Sequence, residues 1–135
     1  MELNPYVFYH GNCAEALAFY EAAGLGKAGM TMTWSQGPAD MQMPPNWGDK
    51  IMHARFEGDG IAFMAADTPE ADEGHRGFSI SLGMTDLAQA EKLFASLSNG
   101  GTVRMPMAKT FWGAHFGMFT DKFGVGWMIN CEVKQ

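Results

Sequence analysis

Hydrophobic positions along the chain change period in a repeating way. Tyr6 to Tyr9 is aromatic and β-branched and predicts a short strand. Asn12 followed by Glu15 predicts a capping box that opens a helix through Ala16, Leu17, Phe19 and Tyr20 and stops at Gly24-Leu25-Gly26. Lys27 to Trp34 predicts a strand, and the proline-bearing stretch Ser35 to Asp49 a long loop. Lys50 to Glu57 and Ile61 to Asp67 predict two strands joined by the turn Gly58-Asp59-Gly60. The polar stretch 68–76 predicts a linker.

The plan then repeats. Gly77 to Met84 predicts a strand, and Asp86 with Gln89 a second capping box before a helix through Ala90, Leu93 and Phe94. Strands follow at Thr102 to Met107, Ala114 to Thr120 and Val125 to Cys131, with a loop at Ala108 to Gly113. Phe19-Tyr20 stands as far from Asn12 as Leu93-Phe94 stands from Asp86. Gly60-Ile61-Ala62-Phe63-Met64 matches Gly124-Val125-Gly126-Trp127-Met128 as Gly-x-x-aromatic-Met. These echoes predict an α+β chain of two βαβββ modules, about 1–67 and 77–135, within a single domain. A helix covers one face of such a module, and the other face needs a partner surface. The expectation is a curved cup with a ligand-sized cavity, and a dimer.

Strand alternation assigns the faces. Met52, Ala54 and Phe56 point to the helix, leaving Ile51, His53 and Arg55; Phe78, Ile80 and Leu82 leave Ser79 and Ser81; Trp127 and Ile129 leave Gly126, Met128 and Asn130. Tyr9 is taken with the cup. Phe111 and Trp112 precede the seventh strand, where they would stack on a planar ligand or seal an interface. The expected ligand pocket is Tyr9, His53, Met64, Ser79, Trp112, His115 and Met128. Apolar walls carrying a few polar groups suit a small molecule.

Composition narrows the classes. Of 135 residues, 47% are apolar and 18% charged, enough to build a core. A net charge of -6 with nine scattered basic residues excludes a phosphate-reading surface, so no nucleic-acid partner is expected. No apolar run approaches about 18 residues, so no membrane span is expected. Two distant cysteines, Cys13 and Cys131, suit a reducing compartment, and the expected location is cytoplasmic. Cys13 would sit in a helix's first turn, where the dipole can favour thiolate, but a buried inert thiol is the plainer expectation. The four histidines contain no i, i+4 pair and no H-E-x-x-H.

The stretches Gly11 to Tyr20, His53-Ala54, Thr110-Phe111-Trp112-Gly113 through Phe116-Gly117, Thr120 to Gly124 and Trp127-Met128-Ile129-Asn130 resemble the PhnB-like branch of the vicinal oxygen chelate superfamily. That superfamily includes glyoxalase I, bleomycin-resistance proteins and extradiol dioxygenases. The resemblance spans nearly the whole chain and implies paired βαβββ modules and a homodimer. It also implies four ligand positions for a divalent metal, which fall here on Pro5, Met64, Ser79 and Met128. Thioethers and a hydroxyl do not hold Zn, Ni or Fe(II), so no metal or other cofactor is expected there. Proteins of this branch often carry the label 3-demethylubiquinone-9 3-methyltransferase, but a Rossmann-type methyltransferase needs more chain than this for its sheet and a Gly-rich turn between a strand and a helix, and no G-x-G-x-x-G is expected here. Three functions stay open: a metal-free small-molecule binder, a metal-dependent lyase or dioxygenase with a displaced site such as His53 with His115, and a drug-sequestering resistance protein. Whether the chain catalyses a reaction is left open.

Overall fold

In a computed structural model, which describes residues 1–133, the chain forms two units divided between Asp72 and Glu73. The first holds β1 (Tyr6–Tyr9), α1 (Cys13–Ala22), β2 (Lys27–Thr33), a single 3-10 turn over Trp34–Gln36, β3 (Ile51–Gly58) and β4 (Ile61–Asp67). The second holds β5 (Ile80–Met84), α2 (Leu87–Ser98), β6 (Thr102–Lys109), β7 (His115–Thr120) and β8 (Gly126–Cys131). Each unit is one four-stranded sheet, ordered β1-β4-β3-β2 in the first and β5-β8-β7-β6 in the second. The two orders are the same plan, with the first strand parallel to the last and an antiparallel meander beyond it. The fold class is α+β. Among the described residues no helix is long and apolar enough to cross a membrane.

Several boundaries move. β5 opens at Ile80 rather than Gly77, and Phe78 is exposed beside His75 instead of lying under α2. β6 continues to Lys109, through the predicted start of a loop, because Ala108 and Lys109 pair with Phe116 and His115. Trp34, predicted at the end of a strand, instead begins the 3-10 turn.

In the first unit the core lies between α1 and one face of the sheet. Tyr20 meets Phe56 and Phe63 edge-on, with both ring centroids 6.2 Å away, and Phe56 stacks on Phe63 at 5.0 Å. In the second unit Phe94 of α2 sits edge-on to Phe119 at 5.1 Å, and Trp127 is fully buried.

The helix starts are held differently. Asp86 accepts from the Gln89 N–H at 3.2 Å, as its spacing predicts. Asn12 makes no side-chain cap at α1, so the first capping box does not form. Asp67, at the end of β4, takes its place. One carboxylate oxygen accepts from the N–H groups of Gly11 and Cys13 at 2.8 and 2.9 Å, and the other from Ile51 at 2.9 Å. A single buried carboxylate thus ties the entry of α1 and the start of β3 to β4. Its charge lies against the positive end of the helix.

Candidate functional site

Each sheet has one face packed by its helix and one left open. On the open face of the first unit, register sets Tyr6 beside Met64 and Met64 beside Arg55, with His53 beside Met32. Tyr6 and Phe8 project from the edge strand β1 and are 39% and 49% exposed. Their rings stack, with centroids 4.9 Å apart and planes 21° apart. The Tyr6 hydroxyl lies 3.0 Å from His53 Nδ1, and Arg55 Nε donates to Glu57 at 2.9 Å. Burial, and then the nearby Cys13 thiol, raise the Tyr6 pKa above its ordinary value, so the phenol keeps its proton at neutral pH.

On the open face of the second unit, Met105, Met118, Met128 and Ser81 follow one another across four strands in register. Phe116 pairs with Asn130 on the same face, and Trp112 approaches Phe116 with centroids 6.5 Å apart. Trp112 and Phe111 stand on a turn before β7 and are strongly exposed, edge-on to each other at 4.9 Å. Ser79 precedes β5 and lies against Gly126.

The structure therefore places His53 and Met64 on one open face, and Met128 on the other with Trp112 adjoining it. Two expected pocket residues are corrected. Tyr9 is 2% exposed and its hydroxyl meets that of Tyr20 at 3.0 Å, so it belongs to the core under α1. A strand alternates its faces, so burying Val7 and Tyr9 turns Tyr6 and Phe8 outward. His115 pairs with the fully buried Cys131 and shares the alternation of Gly117 and Phe119, which face Phe94 of α2. It lies on the helix side, and its Nδ1 is buried without a partner among the described residues. Tyr6 is the functional candidate that strand alternation missed, because YVFY has no polar position to mark its faces.

Two further motifs resolve in place. Contrary to the expectation that no G-x-G-x-x-G occurs, Gly24-Leu25-Gly26-Lys27-Ala28-Gly29 spells it, but it leads from α1 into β2, the reverse of the strand-to-helix turn that cradles a dinucleotide. Gly26 is needed there because a Cβ would run into the Glu57 carbonyl. Cys13 is fully buried, and burial together with the Asp67 charge pushes its thiol up to about 12. The helix start does not activate it, since the nearest charge is a carboxylate.

The donors at the four implied metal positions do not suit a divalent ion. Met64 and Met128 offer thioethers and Ser79 a hydroxyl, while the Pro5 carbonyl already accepts from the Met64 N–H at 2.9 Å. Among the described residues, no three of His, Cys, Asp and Glu gather into a set able to hold a metal ion.

Known proteins share this architecture. The E. coli K12 protein YjdN is 34% identical over 149 aligned residues, which cover 100% of this chain and 98% of YjdN. The crystal structure of protein PA1353 from Pseudomonas aeruginosa is 43% identical and superposes with a TM-score of 0.88, covering 99% of each chain. The Bacillus cereus PhnB protein, named a putative 3-demethylubiquinone-9 3-methyltransferase, superposes with a TM-score of 0.80 at 21% identity, covering 97% of this chain and 99% of its own. At that identity it shares the fold. The sequence profile of the glyoxalase/bleomycin resistance protein/dioxygenase superfamily matches residues 2–129, and the chain belongs to that superfamily.

Proposed function

We propose that this protein binds a small organic molecule on its open sheet faces, without a borderline divalent metal, and works as a homodimer. The observation that carries this reading is the Tyr6–His53 pair, a polar couple set among exposed aromatic rings and thioethers on the side away from α1. Apolar walls with a few fixed polar groups give a ligand both area and orientation. The methionine row on the second unit adds an adaptable surface, since thioethers repack around ligands of varied outline. The donor set at the family's metal positions supports the metal-free part. The exposed Phe111–Trp112 pair supports self-association, because such a pair is costly to leave in water.

A thermal-shift screen of small molecules, run with and without Ni, Zn, Mn and Fe(II), tests this together with elemental analysis of tag-free protein. Ligands should raise the melting temperature equally in all metal conditions, and bound metal should be far below one per chain. Stoichiometric metal that survives gel filtration would overturn the metal-free reading. Light scattering should give twice the chain mass, and a monomer at about 100 μM would overturn the dimer.

A further inference from the structure

We propose that Tyr6 and His53 select a neutral, planar ligand bearing one hydrogen-bond donor and one acceptor, of the hydroxy-aromatic ketone class. The proposal rests on the small-molecule reading above.

In the neutral pair a single proton lies between Tyr6 Oη and His53 Nδ1, which are 3.0 Å apart. If the phenol donates it, Nε2 carries the ring hydrogen and is a donor, while Oη keeps a free lone pair. If Nδ1 carries it, the phenol hydrogen is free to donate and Nε2 accepts. Either tautomer presents one donor and one acceptor, a few ångströms apart. No described residue bonds His53 Nε2. A ligand with a hydroxyl and a carbonyl matches both arrangements, because the neutral imidazole takes either tautomer by exchanging its ring proton with water. A carboxylate offers only acceptors and an ammonium only donors, so each leaves one partner unmatched, at a cost typical of an unmade bond.

Charge points the same way. The cation nearest the pair, Arg55, is engaged by Glu57 at 2.9 Å and has Glu2 at 4.0 Å. The other one that register sets on this face, Lys27, stands beside Glu57 at the far end of β3 from His53, so no unmatched positive charge adjoins the pair to draw an anion. The surroundings fix the ligand's body. Tyr6 and Phe8 form a stacked aromatic shelf, and Met64 and Met32 adjoin Tyr6 and His53 in register. A flat ring lies on such a shelf at small entropic cost.

The test is an NMR titration with 3′-hydroxyacetophenone, acetophenone and 3-acetylbenzoate against the full chain and the Tyr6→Phe, His53→Phe and Phe8→Ala variants. The first probe should bind about tenfold tighter than the other two, the worth of one matched hydrogen bond. Tyr6→Phe and His53→Phe should each abolish that preference, and Tyr6→Phe keeps the ring so that folding is preserved. If all three probes bind alike, are insensitive to Tyr6→Phe and are weakened by Phe8→Ala, the selection is wrong while binding on this face stands. Saturation by none of the probes up to about 10 mM would remove both.

Discussion

Replacing Asp67 tests the structure most directly, because it separates a long-range tie from a local cap. The carboxylate is 2% exposed and accepts three N–H bonds of 2.8 to 2.9 Å. Asp67→Ala orphans the Cys13 and Ile51 donors in the core, and that of Gly11 where water can reach it. Each buried orphan costs roughly 1–3 kcal/mol, and a carboxylate partner puts these bonds toward the upper part of that range. Removing the carboxylate also relieves its own burial, which offsets part of the loss. The net is about 4 kcal/mol, a large share of the roughly 5–15 kcal/mol that holds a domain of this size. Asp67→Asn keeps an oxygen for Gly11 and Cys13 but turns an amide hydrogen toward Ile51, and should cost about half as much. Asn12→Ala removes a side chain that caps nothing and should cost under about 0.5 kcal/mol, although Asn at this position ordinarily contributes about 1. Urea unfolding reads all three. With a slope near 2 kcal/mol/M, Asp67→Ala should lower the midpoint by about 2 M. The reasoning fails if Asn12→Ala destabilises more than Asp67→Asn.

Trp127 donates its indole N–H to Asp121 at 2.8 Å inside the second unit, so Trp127→Phe should cost about 2–3 kcal/mol in urea unfolding; a loss under about 0.5 would refute the bond's role. Gly101 has no room for a Cβ, which would meet the Thr120 carbonyl, and Gly101→Ala should destabilise by about 3 kcal/mol through forced backbone displacement, read by the same assay. The Cys13 thiol, pushed up to about 12 from 9.0, should react with iodoacetamide at pH 8 roughly a thousandfold slower in the native protein than in urea, by ionisation alone. The same shift has a sign for stability: the folded state holds this proton more tightly, so the contribution is complete below about pH 9 and is lost from there towards about pH 12. Its share of the slope, read as wild type against Cys13→Ala, should be about 1.4 kcal/mol per pH unit, and identical pH dependence of the two from about pH 9 to 11 would refute it.

Element order, the internal repeat and the α+β class were legible in the chain, since they rest on local signals. Alternation in β3 and β8 correctly placed His53, Arg55, Met128 and Asn130, because in each case a polar or small residue breaks the apolar series. The four residues of β1 carry no such mark. There the outward face was decided by Tyr9 meeting Tyr20 across eleven residues and by pairing with β4, which together bring Tyr6 to His53. His115 went to the helix side because its register with Cys131 is set by the β7–β8 pairing. At the start of α1, Asn12 satisfied the local rule, yet the bonds went to Asp67, 54 residues beyond Cys13. Sequence by itself determined which segments become helix or strand, since propensity and period act over a few residues. Only tertiary structure decided which face of an all-aromatic strand is buried and which carboxylate caps a helix, since both depend on partners brought together by folding.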